Sequence, residues 1–385
     1  MEVRQIYEIT NTSASETLGE TDVINEDLSN IVDAGDRIFN ANALDRYVKS
    51  LINTIGKMIF VQRTYRPNLP DIYRDSWEYG SVVEKIQMDM PDAEENESWN
   101  LTDRASYDQQ IFYQPKISAK FFNKKITFEI PISITEKQVR QSFTNVQQLN
   151  TFISMIYNGV ERAMNVRLDN LKLRTINNFI AETVHNEYAT AEEYSTKSGV
   201  RAVNLLKLYN DEKGTELAPD KALTDREFIR YASYTMARYI DRMRYLSTLF
   251  NLDGKERQTP KELLHVIMLS DFKRGADMYL DSDTFHNELV TLPLADTVPY
   301  WQGSGKLYDF NSVTKINVKT SSNDIVDISG VLCVMFDHEA LGIFQEDRRV
   351  TSVYNAKAEF FNNYHKFDAN YFNDFSENFV VFFVA

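Results

Sequence analysis

Between Asn145 and Glu182 apolar residues return every three or four positions: Leu149, Phe152, Ile153, Ile156, Val160, Ala163, Met164, Leu168, Leu171, Ile176, Phe179 and Ile180. Glu161, Arg162, Arg167, Asp169, Lys172 and Arg174 fall largely between them, which is the pattern of a helix with one apolar stripe. Unbroken, that helix spans ~57 Å at ~1.5 Å per residue, far beyond the usual ~11–12 residues. The apolar positions do not keep a strict heptad, so the helix is not a coiled coil. Gly159 stands inside it at a cost of ~1 kcal/mol relative to Ala. It is either a small residue tolerated at a close contact or a bend point.

The rest of the chain must be organised around this rod. At ~100–200 residues per domain, 385 residues make two or three packed units. The chain is 43% hydrophobic with only 13 Gly and 9 Pro, which excludes collagenous, low-complexity and wholly disordered classes. Cys333 is the single cysteine, so an intrachain disulfide and a cysteine-rich zinc site are excluded. The balance of 42 basic and 56 acidic residues, net −14, repels phosphate and anionic lipid unless a local basic patch overrides it. MEVRQIYEITNTSASE lacks a secretory pattern, and the longest apolar run, Phe379 to Ala385, is far short of the ~20 residues that span a bilayer. A soluble protein made in a reducing cytoplasm, with no membrane partner, is expected.

Residues 1–35 are polar with little periodicity and read as an extended arm. Leu44, Tyr47, Val48, Leu51, Ile52 and Ile55 predict a short helix with Gly56 as its stop, followed by a buried strand over Met58 to Val61. Residues 63–135 predict a two-stranded arm, with strands near Trp77 to Met88 and from Ile111 to Phe122. In the second, Ile111, Tyr113, Ile117, Ala119 and Phe121 share one face. No Lys or Arg occurs from Ile86 to Asp103, whereas Lys116, Lys120, Lys124, Lys125, Lys137 and Arg140 make the returning limb basic. A two-stranded arm is marginal alone, and opposite charge at tip and base suits a neighbouring copy of the same chain; solvated charge is the plain alternative. Asp92, Glu94, Glu95, Glu97 and Trp99 at the tip, with Lys116, Lys120, Lys124 and Lys125 at the base, are the candidate contacts between copies.

Beyond the long helix, the pattern predicts a separate α+β unit. A capping box at Thr224-Asp225-Arg226-Glu227 opens a helix whose apolar face carries Phe228, Ile229, Ala232, Met236, Tyr239, Ile240, Met243 and Leu246. A strand at Leu263 to Leu269, a helix after Ser270 and short strands near Ile316 to Val318 and Asp324 to Ile328 follow. From about 330 the chain is strand-rich, beginning with the apolar run Val331 to Phe336. Ten aromatics lie between Phe360 and Phe383 with Lys366 the sole basic residue among them, so they read as core rather than as a nucleic-acid stacking platform.

Catalytic patterns are weak. Gly303-Ser304-Gly305-Lys306 lacks the earlier glycine and the following Ser/Thr of a phosphate-cradling loop. His338-Glu339 lacks a second histidine at zinc spacing. Asp281 and Asp283 start like a calcium loop, but His286 takes the place of its glycine. No two of His185, His265, His286, His338 and His365 stand at ligand spacing, and Cys333 reads as a small buried apolar residue. No catalytic residue, metal ligand or cofactor is predicted.

Arm, protruding loop, very long helix, α+β unit and strand-rich return, in that order, resemble the major capsid proteins of tailed bacteriophages, the Hong Kong 97 fold. Trp77-Glu78-Tyr79-Gly80-Ser81-Val82-Val83-Glu84-Lys85-Ile86, the stretch Asn145-Val146-Gln147-Gln148-Leu149, the Phe152 to Tyr157 segment and the aromatic tail are most similar to head proteins of small podoviruses related to phage phi 29. The resemblance implies an α+β fold divided as an N-terminal arm and short helix (1–62), an E-loop (63–135), a P domain with the spine helix (136–200), an A domain (201–330) and a return to the P domain (331–385). The immunoglobulin-like C-terminal domain that some of those proteins carry is not expected. It further implies a non-enzymatic virion protein, assembled in the host cytoplasm into pentamers and hexamers of an icosahedral shell. That shell would enclose double-stranded DNA without sequence-specific binding, with scaffolding and portal proteins as partners. The alternatives are a portal or sheath-like ring or tube subunit, and an enzyme with a non-local acid/base site.

Overall fold

The computed structural model describes residues 3–21, 23–41, 43–61, 72–74, 83–91, 93, 98, 100–107, 110–281, 295–302 and 309–385. Its first segment corrects the reading of an extended arm. Val3–Leu18 is a helix, α1, that buries Ile6, Ile9 and Ala14. Thr10, Ser13 and Thr17 are buried on the same helix, and each donates its hydroxyl four residues back, to Ile6 O (2.7 Å), Ile9 O (2.7 Å) and Ser13 O (2.6 Å). Hydroxyls satisfied in this way fill apolar positions, so the periodicity is present but written in small polar residues.

Helix α2 (Ile31–Asn40) buries Ile31, Ala34 and Ile38, and α3 (Leu44–Val61) buries Tyr47, Val48, Leu51, Ile52 and Ile55. The backbone of α3 stays helical through Gly56 to Val61, so the expected stop and the strand Met58 to Val61 do not form. Four consecutive apolar residues do not distinguish a strand from a last helical turn.

After β1 (Tyr73–Arg74), strands β2 (Val83–Met88) and β3 (Ile117–Phe122) pair antiparallel, with Val83 opposite Phe122 and Met88 opposite Ile117. The second strand thus begins at Ile117 rather than Ile111. Strand β4 (Lys125–Thr135) follows, then α4 (Glu136–Ser142), whose N-cap Thr135 forms a capping box with Gln138.

The long helix is α5 (Val146–Glu187), capped by the Asn145 side chain, which accepts from Gln148 N at 2.8 Å. Its 42 residues extend roughly 63 Å at ~1.5 Å each. Two cores meet on it. Leu149 to Leu168 pack in one with α1, α2, α3, Ile130 and Ile134 of β4, Phe361 and Phe367, whereas Leu171 to Val184 pack in the other.

The second core belongs to the α+β unit. It comprises α6 (Glu193–Thr196), β5 (Ala202–Asn204), α7 (Leu205–Lys213), α8 (Pro219–Ala222), α9 (Arg226–Met243), β6 (Leu264–Leu269), α10 (Ser270–Asp281), β7 (Asp296–Val298), α11 (Phe310–Thr314), β8 (Ile316–Lys319) and β9 (Ile325–Ile328). The cap of α9 is Asp225, which accepts from Phe228 N at 2.7 Å; Thr224 instead donates to Lys221 O at 2.9 Å. The N-cap therefore lies one residue later than the sequence predicts, and Asp225 caps the helix with Phe228, not a Glu or Gln, at its third position. Leu246 lies past the helix end and is exposed, while the other apolar-face residues are buried or partly so.

The C-terminal stretch is β10 (Val331–Asp337), β11 (Leu341–Asn355), β12 (Phe360–Asn373) and β13 (Phe379–Phe383). It does not form one unit. Strands β10 and β13 join a five-stranded sheet of order β5-β13-β10-β6-β7, while β11 and β12 join a four-stranded sheet of order β1-β11-β12-β4. A boundary near 331 thus divides the five-stranded sheet. Pro131 sits on β4, at an end of the four-stranded order, where a missing N–H is tolerated. Gly330 opens β10 at φ +83°, and a Cβ there would meet Val384 O at 1.8 Å; only glycine fits this turn.

Candidate inter-subunit surface

Residues alternate between the two faces of β2 and β3. Lys85, Gln87, Ser118 and Lys120 turn toward the body of the chain, and Ile86, Met88, Ile117, Ala119 and Phe121 turn outward. The apolar face that the sequence reading groups together (Ile117, Ala119, Phe121) is therefore the solvent face, and the polar one is the docked face. Ile86 is 66% exposed, Ile117 and Phe121 are each 63% exposed, and Phe112 beyond the strand is 83% exposed. Ile111 and Tyr113 are exposed as well, but outside any strand.

What holds the inner face down is charge. Lys85 and Lys120 stand directly opposite each other in the register, which repels by itself. The fully buried carboxylate of Asp374, in the link between β12 and β13, resolves this: Oδ2 takes Lys85 Nζ at 2.8 Å and Oδ1 takes Lys120 Nζ at 2.9 Å. Glu377 pairs with Lys85 at 2.8 Å and with Arg257 at 3.3 Å, and accepts from Gln87 at 3.0 Å. Arg257 donates to Gln87 Oε1 at 2.6 Å. Asp253 pairs with Lys120 at 2.5 Å, and Asp89 with Lys255 at 2.9 Å.

Burial acting alone would raise the Asp374 carboxyl; Lys85, Lys120 and the Ser376 hydroxyl outweigh it and hold it at about 2. Burial likewise works to lower the Lys120 ammonium, but Asp253 and Asp374 carry it above its usual value. The hydrogen bond from Lys255 keeps the Asp89 carboxyl below the ordinary range.

The basic candidates divide. Lys120 is paired within its own chain, as above. Lys125 pairs with Asp368 at 3.3 Å, a carboxylate that also takes Arg349 at 3.0 Å. Lys116 and Lys124 are exposed. Asp92, Glu94, Glu95, Glu97 and Trp99 lie outside the described residues. Lys120 and Lys125 are thus held by their own body, while Lys116, Lys124 and the outer face of the arm are exposed. Gly159 is exposed on an unbroken stretch of α5, and a Cβ built there meets nothing within 4 Å. Within its own chain, this glycine makes no close contact.

Two features were not visible in the sequence. His265 Nε2 and His338 Nδ1, 73 positions apart, come within 2.8 Å, because β6 and β10 are neighbours in register. His365 is buried on β12 with neither ring nitrogen hydrogen-bonded, and burial lowers its imidazole to about 4. Cys333 is fully buried and burial pushes its thiol well above the usual range. Gly303 to Lys306, Asp283 and His286 lie outside the described residues. Among the described residues no group of three or more His, Cys, Asp or Glu is placed to hold a metal ion, and no helix is long and apolar enough to cross a membrane.

A family model described as Phi29-like phage major capsid protein matches residues 8–383. The chain belongs to that family. It is accordingly a phage major capsid protein, a structural component of the virion. No curated protein matches it in sequence. Among solved structures, a chain of the Staphylococcus phage Andhra capsid shares 8% identity with a TM-score of 0.51, covering 82% of this chain and 83% of that one. A chain of the cyanophage P-SCSP1u capsid shares 10% identity with a TM-score of 0.47, over 82% of this chain and 87% of that one. The Andhra likeness, at 8% identity, speaks to fold alone, and the mixed helix-and-sheet fold it indicates is the one the resemblance implied.

Proposed function

We propose that copies of this capsid protein close, through pentamers and hexamers, into an icosahedral shell around double-stranded DNA. In this reading β2, β3 and the segment between them form an arm that interlocks neighbouring copies. Residues 63–135 act as the E-loop, α5 as the spine of the P domain, and the five-stranded sheet belongs to the A domain. Scaffolding and portal proteins take part, and assembly occurs in the host cytoplasm.

The observation that carries the proposal is the outer face of the arm. Ile86, Met88, Ile117 and Phe121 form a contiguous exposed apolar stripe, and monomeric proteins rarely leave such a patch uncovered. Heterologous contacts of one arm on the next copy close into rings. The net charge of −14 suits a container whose cargo is held without tight binding. Electron microscopy of the protein expressed with its genomic neighbours tests the reading. Closed shells are expected; single rings or tubes would favour a portal or sheath-like subunit instead.

A further inference from the structure

Where the base of the arm meets α5, a cleft of about 310 Å³ opens, near the lower end of the roughly 300–1,000 Å³ typical of binding clefts. Three elements wall it. Phe121 and Phe122 come from the end of β3 and Lys124 from just beyond it, Arg174 and Glu182 from α5, and Lys319 from β8. Tyr371 and Phe372 of β12, with Phe375 in the link to β13, complete the lining. The Phe122 and Phe372 rings lie tilted at 36° with centroids 4.9 Å apart, and the Arg174 guanidinium lies 5.8 Å from the Tyr371 ring centre. Glu182 is the one carboxylate in the lining, and it already accepts from Ser321 N at 2.5 Å. Lys124, Arg174 and Lys319 are exposed and, among the described residues, stand in no ion pair. In a chain of net charge −14, this is a cationic, aromatic-walled recess.

We infer that this cleft receives the acidic arm tip of a second copy, centred on Asp92, Glu94, Glu95, Glu97 and Trp99. The inference rests on the shell reading above and names the place where the arm is received. Charge complementarity selects the occupant: residues 86–103 contain no Lys or Arg to oppose the cleft cations. Trp99 matches the aromatic walls, where a cation and a ring face together favour an indole. The tip comes from another copy because β2 and β3 lead away from the cleft. Phe121 and Phe122 line it, whereas Met88 and Ile117 mark the far end, roughly 17 Å off at ~3.3 Å per residue. Asp89 is tied there to Lys255 of its own body.

The test is a charge swap read as closed shells, with the chain co-expressed with its genomic neighbours. Lys124→Glu, Arg174→Glu and Lys319→Glu together are expected to reduce shell yield at least roughly tenfold, as three pairs turn from attractive to repulsive. Circular dichroism of the purified subunit is expected to be unchanged, because all three side chains are exposed. Glu94→Lys, Glu95→Lys and Glu97→Lys together are expected to lose shells similarly. Combining both sets is expected to restore them. Normal shells from the cleft triple variant, or failure of the combined variant to recover, would overturn the inference while leaving the shell function intact. Absence of shells from the unmodified chain would instead strike the shell reading itself.

Discussion

Asp374→Asn should release the arm without unfolding the body. Its carboxylate holds Lys85 at 2.8 Å and Lys120 at 2.9 Å, two cations that otherwise face each other across the strand pair. Its folded pKa of about 2, against 3.8 for the free group, corresponds to about 2 kcal/mol at ~1.4 kcal/mol per unit. The sign follows from the depression. The contribution is complete above the unfolded value of 3.8, fades as pH falls toward 2, and is absent at any pH in the Asn variant. About 2 kcal/mol amounts to roughly thirty-fold in a local opening equilibrium. Hydrogen exchange of the isolated subunit at neutral pH reads this directly. Amides of Val83–Met88 and Ile117–Phe122 are expected to exchange about thirty times faster, with those of Val331–Asp337 unchanged. The same acceleration should occur in the unmodified protein between pH 4 and 2. Unaltered exchange in the arm would refute the idea that the ionic cluster holds it, and equal acceleration throughout would show that Asp374 supports the whole fold instead.

Other outcomes are equally open to measurement. His365, lowered to about 4 in the fold from 6.5, contributes fully above pH 6.5 and loses up to about 3 kcal/mol as pH falls to 4. Thermal melts of His365→Leu should lack that acid slope; an identical slope would show that other groups cause it. Cys333 is buried in a strand with no exposed residue, so it should resist maleimide until the protein unfolds, and Cys333→Ser should cost about 1–3 kcal/mol, read by urea titration. Gly159→Ala meets nothing within 4 Å and should stabilise α5 by about 1 kcal/mol. If Gly159 is a bend used in assembly, electron microscopy will show altered shell size or maturation; unchanged particles would make it an ordinary helix position.

Legibility in the sequence followed the range of the interactions. The long helix was plain because its signal is local: Leu149, Phe152, Ile153 and Ile156 recur at helical spacing, and Asn145 caps them. The strand Val331–Asp337 was plain for the same reason, as every residue in it is buried. Helix α1 was missed because Thr10, Ser13 and Thr17 occupy inward positions that an apolar count ignores, though a count of small hydroxyl residues at i, i+3 and i+7 would have found it. The start of the second arm strand was misplaced because Ile111 and Tyr113 keep the alternation although, among the described residues, no strand pairs with them.

By itself, then, the order of residues determined the helices and strands whose periodicity is complete within a dozen positions, and the capsid resemblance that their succession carries. It also established that Ile117, Ala119 and Phe121 share a face. Only the tertiary structure decided that this face looks outward, because the choice depends on Asp374 and Glu377, more than 250 positions away, whose carboxylates draw Lys85 and Lys120 inward. The pairing of His265 with His338 and the division of the last four strands between two sheets have the same origin. Local patterns record which side chains travel together; desolvation and ion pairing between distant segments decide which way they turn.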